Sequence, residues 1–553
     1  MKHFGVWILG LLLTLLTLRP LVNSTFFPVH DFTHVARLVE MDRAIADGHF
    51  PVRWVKDLGF GYGMPLFSFY GPMPFYLAEG FYLLGFSSLV SIKLLLFAMF
   101  MGGYWGMYLL SSRYMGKLGG VVAATAFLLI PYRAVDVFVR GAFNELFAIT
   151  LVPWIMYGFI RLRETLSWKW TAGTSALLFL FFTSHNLMTM MFSPIIYGCG
   201  LLLGFFGKKK ILYWTKMHLS LLLGIGAASF YILPSFFEKG YTQVDKLIGG
   251  YGAYTFHFLY IRQLFTGIWG YGGSILGPED GLSFQLGTVH IVLTLIGFIA
   301  LFLRSQQVNI KLFFSYFAAI TLFALFMTIF KSQFLWDKIS LFQYFQFPWR
   351  FLSVSTVFLP VLSGAVVMVG IKQWQRITIA FISVALLLGV NLSLFQPVNL
   401  LEDPRSMYYE DPKLIQSQMS EILPDYIPVG MSEIQKPFQR QFEVKEQEGL
   451  PLEVLVDRTH EKLLRFKLQN TGNLLVRVAW FPRWTVYDNG KKISFQVQEK
   501  SGFIEVPLEE GDHVISVKFE DTPLRMWSNV LSTMSLFIIG GVLFYDRHQR
   551  RPA

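Results

Sequence analysis

Cysteine is almost missing from this chain. Cys199 is the only one, and it lies inside an apolar stretch. Neither a disulfide nor a cysteine metal site can therefore be built within one copy. Charge is scarce too: 15% of residues carry it, against about 25% in soluble domains. No Gly-rich phosphate loop of the nucleotide-binding type occurs, and no segment repeats another. The net charge of +11 does not point to nucleic acid, because the Lys and Arg clusters sit between hydrophobic segments, mostly on alternate loops, as topology signals do. What fills the sequence is apolar: 54% hydrophobic and 17% aromatic, with 56 Phe among 553 residues. A soluble protein is excluded. The chain reads as a polytopic membrane protein.

Hydropathy predicts about twelve spans, at 4–22, 90–110, 117–132, 146–162, 170–184, 187–206, 217–236, 286–303, 312–330, 351–370, 377–395 and 527–545. With the N-terminus in the cytoplasm, basic groups such as Arg161/Arg163/Lys169, Lys208 to Lys210 and Arg304/Lys311 fall inside, as do Arg547/Arg550/Arg551; Lys93 is the main exception. Lys2 before an apolar core resembles a secretory signal. No small-residue cleavage site follows, however, and Arg19-Pro20 interrupts the flank, so a retained first helix is expected. Residues 72–88 contain Glu79 and two prolines, which favours an interfacial helix over a span. The expected location is the plasma (cytoplasmic) membrane, with both termini cytoplasmic and external regions at 23–89, 131–145, 238–285, 331–350 and 396–526.

Two external regions have readable local structure. Residues 31–46 read as a surface helix ended by Gly48, with Asp31, His34, Leu38, Asp42 and Ile45 near one stripe. From about residue 440 the pattern alternates like strands, at 442–444, 452–456, 464–468, 475–480, 484–487, 493–495, 502–506 and 513–519. Asp488-Asn489-Gly490 is a hairpin signal within that set.

Candidate chemistry begins at Pro28-Val-His-Asp31-Phe-Thr-His34, within roughly two helical turns of the first span. Asp31 suits a helix N-cap. A carboxylate held there, beside His30, His34 and Asp42, also suits a catalytic base. Asp31 and His34, at i and i+3, share a helical face and could share a proton or a divalent ion. Arg140 and Glu145 read either as an exposed ion pair worth under about 1 kcal/mol or as site residues, since a carboxylate opening an apolar span usually faces a cavity or a partner. Arg350, after an aromatic run, either anchors its helix at the headgroups or holds a lipid phosphate bidentately. His185, in Thr183-Ser-His185-Asn186, favours a structural hydrogen bond. The Tyr- and Gly-rich run at 251–274 fits a loop over a sugar site and an interfacial aromatic belt equally.

His30-Asp31-x-x-His34, Gly48-His-Phe-Pro51-Val-Arg53-Trp54, Tyr62-Gly-Met-Pro65, Phe69-Tyr70-Gly-Pro72, Val139-Arg140-Gly-Ala-x-x-Glu145 and Phe347-Pro-Trp-Arg350 together resemble a membrane family called "6-pyruvoyl-tetrahydropterin synthase-related". That family is similar to the GT-C membrane glycosyltransferases and to YfhO-like proteins. The resemblance covers about residues 1–370. The tail, with Ala479-Trp-Phe-Pro-Arg-Trp484 and Gly511-Asp-His513, resembles the external β-domain of YfhO-like proteins. Pterin chemistry finds no support, because the chain lacks a soluble core with a histidine metal triad.

The resemblance implies a mainly α, GT-C-like transmembrane domain of about 12 helices over 1–395. An extracytoplasmic domain would follow over 396–526, with a β-sandwich at about 440–522, then a last span and basic tail over 527–553. It also implies inverting transfer of a sugar from a polyprenyl-phosphate donor to an envelope glycan, lipid or protein acceptor on the outer face. Asp31 would activate the acceptor, and Glu145 would assist it or bind metal, with Asp136 the weaker candidate. His34, Tyr70, Arg140, His185 and Arg350 would contact substrate, the arginines meeting phosphate charge. A divalent metal, Mg or Mn, is left open, since metal-using members often carry paired acids where this chain has Asp31-Phe-Thr-His. The competing readings are a transporter or flippase of lipid-linked glycans, for which paired inverted repeats are not evident, and a non-catalytic envelope assembly protein.

Overall fold

The computed structural model describes residues 4–401, 410–421, 426–431, 436–438, 440–447 and 449–548. Lys2, Arg550 and Arg551, used in the topology reading, lie outside the described residues. In hydrocarbon an apolar run must satisfy its own backbone, which a helix does internally. Thirteen helices of ten or more residues result among the described residues. They are α1 Phe4–Thr17, α2 His34–Ala46, α3 Met73–Leu83, α4 Ser88–Leu129, α5 Phe143–Thr165, α6 Trp168–Phe182, α7 Asn186–Phe205, α8 Lys210–Phe237, α9 Thr288–Arg304, α10 Val308–Thr328, α11 Leu352–Ser363, α12 Gln373–Asn391 and α13 Pro523–His548.

Each predicted span coincides with one of these helices, but the count of twelve is not reproduced. Among the described residues eight helical runs are long and apolar enough to cross a membrane, while α1 and α9 are shorter apolar helices. The stretches expected at 90–110 and 117–132 belong to one run, Ser88–Arg140, broken at Gly116 by non-helical backbone (φ 70, ψ −179). α3, 11 residues long, reaches about 16 Å, well short of the ~30 Å hydrocarbon core. α4 lies at the centre, packed by α1, α5, α11 and α12, while α8 packs between α6 and α13.

α2 departs from the sequence reading in two ways. It starts at His34, not Asp31, with no side-chain cap at Thr33. It is also not a surface helix: nine of its thirteen residues, Arg37 and Glu40 among them, are buried. α3 and α4 cover it, and Arg43 reaches out from it to the Glu410 carbonyl at 2.8 Å.

The C-terminal strands form two antiparallel sheets, ordered β1-β4-β8-β7 and β2-β3-β9-β5-β6. The strands are β1 Phe442–Val444, β2 Glu453–Asp457, β3 Glu461–Leu468, β4 Gly472–Ala479, β5 Trp484–Asp488, β6 Lys491–Ile493, β7 Gln496–Val497, β8 Phe503–Leu508 and β9 Gly511–Phe519. Asp488 pairs with Lys491 across Asn489-Gly490, both at positive φ, as a tight hairpin requires. Alternate residues of β3 and β9 are buried and, with most of β4 and β8, join one core.

This β-domain is fastened to the helical body. The Ala479 N–H donates to the Tyr62 carbonyl at 2.8 Å, the Thr459 N–H and hydroxyl both reach Asp47 at 2.6 Å, and Trp54 meets Trp484 edge-on at 5.4 Å. α13 then returns the chain to the bundle. Its Arg525, fully buried, donates to Glu238 at 3.0 Å. Removing one member of a buried pair leaves the other unmatched, at a cost of about 3–5 kcal/mol. Arg525→Met is therefore expected to lower the thermal midpoint in detergent by several degrees, and Arg525→Met with Glu238→Leu to recover more than half of that loss.

Candidate functional site

Two segments far apart in sequence meet edge to edge. The N–H groups of His30 and Asp31 donate to the carbonyls of Val139 and Arg140, both at 2.9 Å. The approach depends on Gly141, whose φ is 69 and where a Cβ would sit 2.8 Å from the Asp31 carbonyl oxygen. Just before it, Asp136–Arg140 forms a π-helical turn; such wide turns recur at functional sites. Asn144 clamps a second junction, donating to the carbonyls of Gly71 and Ser184 at 2.8 Å each. A side chain at Gly71 would collide with Ser184.

These junctions shape a cavity of about 810 Å³. His30, Asp31, Tyr70, Arg140, Glu145, His185 and Arg350 form its polar end. Phe182 of α6, Leu187 and Met190 of α7, and Ile225, Ile232 and Phe236 of α8 supply apolar lining, beside Asn186, Thr189, Ser193 and Ser235 of α7 and α8. Asp31, Tyr70, Arg140, Glu145, His185 and Arg350 are thus brought together. His34 and Asp136 are not among the lining residues. His34 is buried, with Nε2 on the Gly141 carbonyl at 2.5 Å and its ring stacked 4.2 Å from that of Phe143. Asp136 is fully buried behind Arg140, paired at 2.6 Å. Both hold the wall rather than face the space, which corrects their expected contact with substrate.

Neither cavity acid is a free carboxylate. Arg37 grips Asp31 with two hydrogen bonds, 3.0 Å to Oδ2 and 2.8 Å to Oδ1. The Thr33 hydroxyl adds 2.9 Å to Oδ1, and Tyr70 stands 3.4 Å from Oδ2. Asp31 lies deep in the protein, yet 26% of its side chain is open to the cavity. Burial pushes its carboxyl up, but the Arg37 charge, His34 and the hydrogen bonds outweigh that and hold it at about 2. The N-cap and free-base readings of Asp31 both give way to an ion pair.

Glu145 is matched in the same manner. Tyr132 and Ser353 donate to Oε1 at 3.0 and 2.5 Å, Arg140 donates to Oε2 at 2.9 Å, and the Arg350 Nε lies 3.8 Å away. That Nε has no hydrogen-bond partner, although the Arg350 Nη1 donates to the Phe345 carbonyl at 2.8 Å. Neither acid fits a metal ion, since guanidinium and hydroxyl donors occupy the oxygens a cation would need. Among the described residues no group of three or more His, Cys, Asp and Glu could hold one.

His185 has a fixed tautomer. Its Nδ1 accepts from the Met188 N–H at 3.3 Å, so its Nε2 carries the proton. Burial pushes the imidazole down to about 4 against the pull of Glu145, leaving a neutral donor. Sequence reasoning missed Arg37, Tyr132, Asn144 and Ser353. The one available signal was Arg37 on a helix beside a carboxylate, because a buried arginine needs an acid partner.

The Asp31 pair has a consequence with a definite sign. Its folded carboxyl titrates below the unfolded one, so its stabilisation is complete above about pH 4 and is lost as pH falls through about 2. Asp31→Asn should lower the thermal midpoint at neutral pH, and the gap to wild type should close between pH 4 and 2 in parallel melts.

Residues 67–396 match the family profile described as "6-pyruvoyl-tetrahydropterin synthase related domain; membrane protein". No curated protein sequence matches the chain. Among solved structures, the arabinofuranosyltransferase AftD from Mycobacteria aligns over 73% of this chain and 27% of its own length, at 15% identity and a TM-score of 0.45. A mutant form of the same enzyme aligns equally, over 28% of its length. The chain spans about a quarter of these proteins, and a likeness of that degree fixes neither fold family nor activity. The match across most of the helical body does fix the kinship: this chain belongs to the 6-pyruvoyl-tetrahydropterin synthase-related family of membrane proteins.

Proposed function

We propose that this protein is a GT-C-like membrane glycosyltransferase. It would move a sugar from a polyprenyl-phosphate donor to a glycan, lipid or protein acceptor on the outer face of the membrane. The carrying observation is that one cavity presents two guanidinium groups together with a mainly apolar lining supplied largely by α6, α7 and α8. Arg140 and Arg350 line one end and share Glu145. A phosphate there would meet two guanidinium groups held in place by a shared carboxylate. Fixed donors aimed at developing charge are the strongest form of such stabilisation. The apolar lining suits the isoprenoid: Ile225 and Phe236 line the cavity and are well exposed.

In this reading the acceptor oxygen attacks the anomeric carbon as the carbon–phosphate oxygen bond breaks. The bonding pair goes to the phosphate oxygen, so the leaving group needs no proton if Arg140 and Arg350 hold it. Glu145 orients both arginines, and Asp31 fixes Arg37 and Tyr70 at the cavity edge. His185 offers an N–H to the sugar or phosphate. The basic clusters between spans support a cytoplasmic N-terminus and an outward site.

Full-length protein in nanodiscs, titrated with undecaprenyl phosphate and read by native mass spectrometry, tests the donor reading. Wild type should bind. Arg350→Gln should weaken binding about 10- to 100-fold, as losing one charge-assisted contact of about 1.5–3 kcal/mol requires. No binding by wild type, or equal binding by the variant, would overturn the lipid-phosphate assignment.

A further inference from the structure

Transfer to a hydroxyl releases a proton, and a base in the cavity must take it. Asp31 has about four acceptor positions, and two Arg37 bonds, Thr33 and Tyr70 approach all of them. Protonating it would discharge the Arg37 pair. Glu145 is placed alike, with Tyr132, Ser353, Arg140 and Arg350 around its oxygens. His185 has spent its Nδ1 lone pair on the Met188 N–H.

His30 differs from all three. It lines the cavity and is exposed to it. Its Nε2 lies 3.0 Å from the Tyr271 carbonyl oxygen. A carbonyl only accepts, so in the neutral imidazole Nε2 carries the hydrogen and Nδ1 holds the free lone pair. The backbone is fixed as well, because the His30 N–H is bonded to Val139 beside Arg140. Tyr271 is itself anchored, its hydroxyl donating to the Gln396 carbonyl at 2.9 Å.

The geometry points to His30 as the residue that takes the acceptor's proton, an assignment that rests on the transferase reading above. The acceptor O–H gives its proton to His30 Nδ1 while its oxygen bonds to the anomeric carbon. The phosphate departs with the electron pair of the broken C–O bond, and the imidazolium returns its proton to water. An imidazole oriented through its second nitrogen is a common arrangement for general-base catalysis.

The test uses full-length protein in nanodiscs, undecaprenyl-phosphate-linked hexoses and pentoses as donors, and octyl glycosides and water as acceptors. Product glycoside and released sugar are read by mass spectrometry. His30→Ala should lose about 10²- to 10⁴-fold in turnover, regain part of it with added imidazole, and bind undecaprenyl phosphate within twofold of wild type. His30→Gln separates base from support, because its amide can still donate to the Tyr271 carbonyl but has no basic lone pair. It should be as slow as His30→Ala. A Gln variant above one tenth of the wild-type rate, or an Ala variant that imidazole leaves unchanged, would overturn the assignment. Wild type that binds undecaprenyl phosphate yet transfers from no donor would sink the transferase reading itself, and the role of His30 with it.

Discussion

An ion inside an apolar helical body persists only when a counter-charge and hydrogen bonds replace the water it gave up. That constraint organises this molecule. Arg525 with Glu238 joins helices 287 residues apart, while Arg37 with Asp31 and Arg140 with Asp136 and Glu145 lock the turns that lead into and out of neighbouring elements. Each pair would be a liability on its own. Matched, they fix the relative placement of α2, the π turn, α5 and α13 more narrowly than apolar contacts do, since a misplaced ion is costly and a misplaced leucine is not. The cavity exists where two of these networks face each other across a gap.

The same constraint explains what the sequence made legible. Apolar runs announced the helices, because composition alone decides what hydrocarbon tolerates. Asn489-Gly490 announced the hairpin, because only particular residues adopt its backbone. The span count was less legible: α1 and α9 are short, and Gly116 divides a run that hydropathy reads as two. Asp31, Arg140, Glu145 and Arg350 were recognisable as charged residues in places that need a reason. Their roles were not, because a role depends on partners such as Arg37, six residues from Asp31, and Ser353, 208 residues from Glu145. His34 and Asp136 show the converse, with site-like residues spent on the wall.

The division of labour that results is between holding and acting. Carboxylates hold the guanidinium groups, Arg140 and Arg350 face the space, and His30, an imidazole, is the residue to which we assign the proton. The expectation of a carboxylate base followed from residue type and position. The observed pairing removes that freedom, since an acid that anchors a buried arginine cannot also exchange its proton freely.

The β-domain enters from the helical body after α12 and rejoins it through α13, and it touches the body at Tyr62, Asp47 and Trp54 in between. A module tethered by one end can swing; one sewn down at both ends and along its seam can only rock. Residues 426–431, which follow α12 and precede the first strand, include Tyr426, which lines the cavity. One stretch of chain thus serves both as tether for the sheets and, at Tyr426, as lining of the cavity.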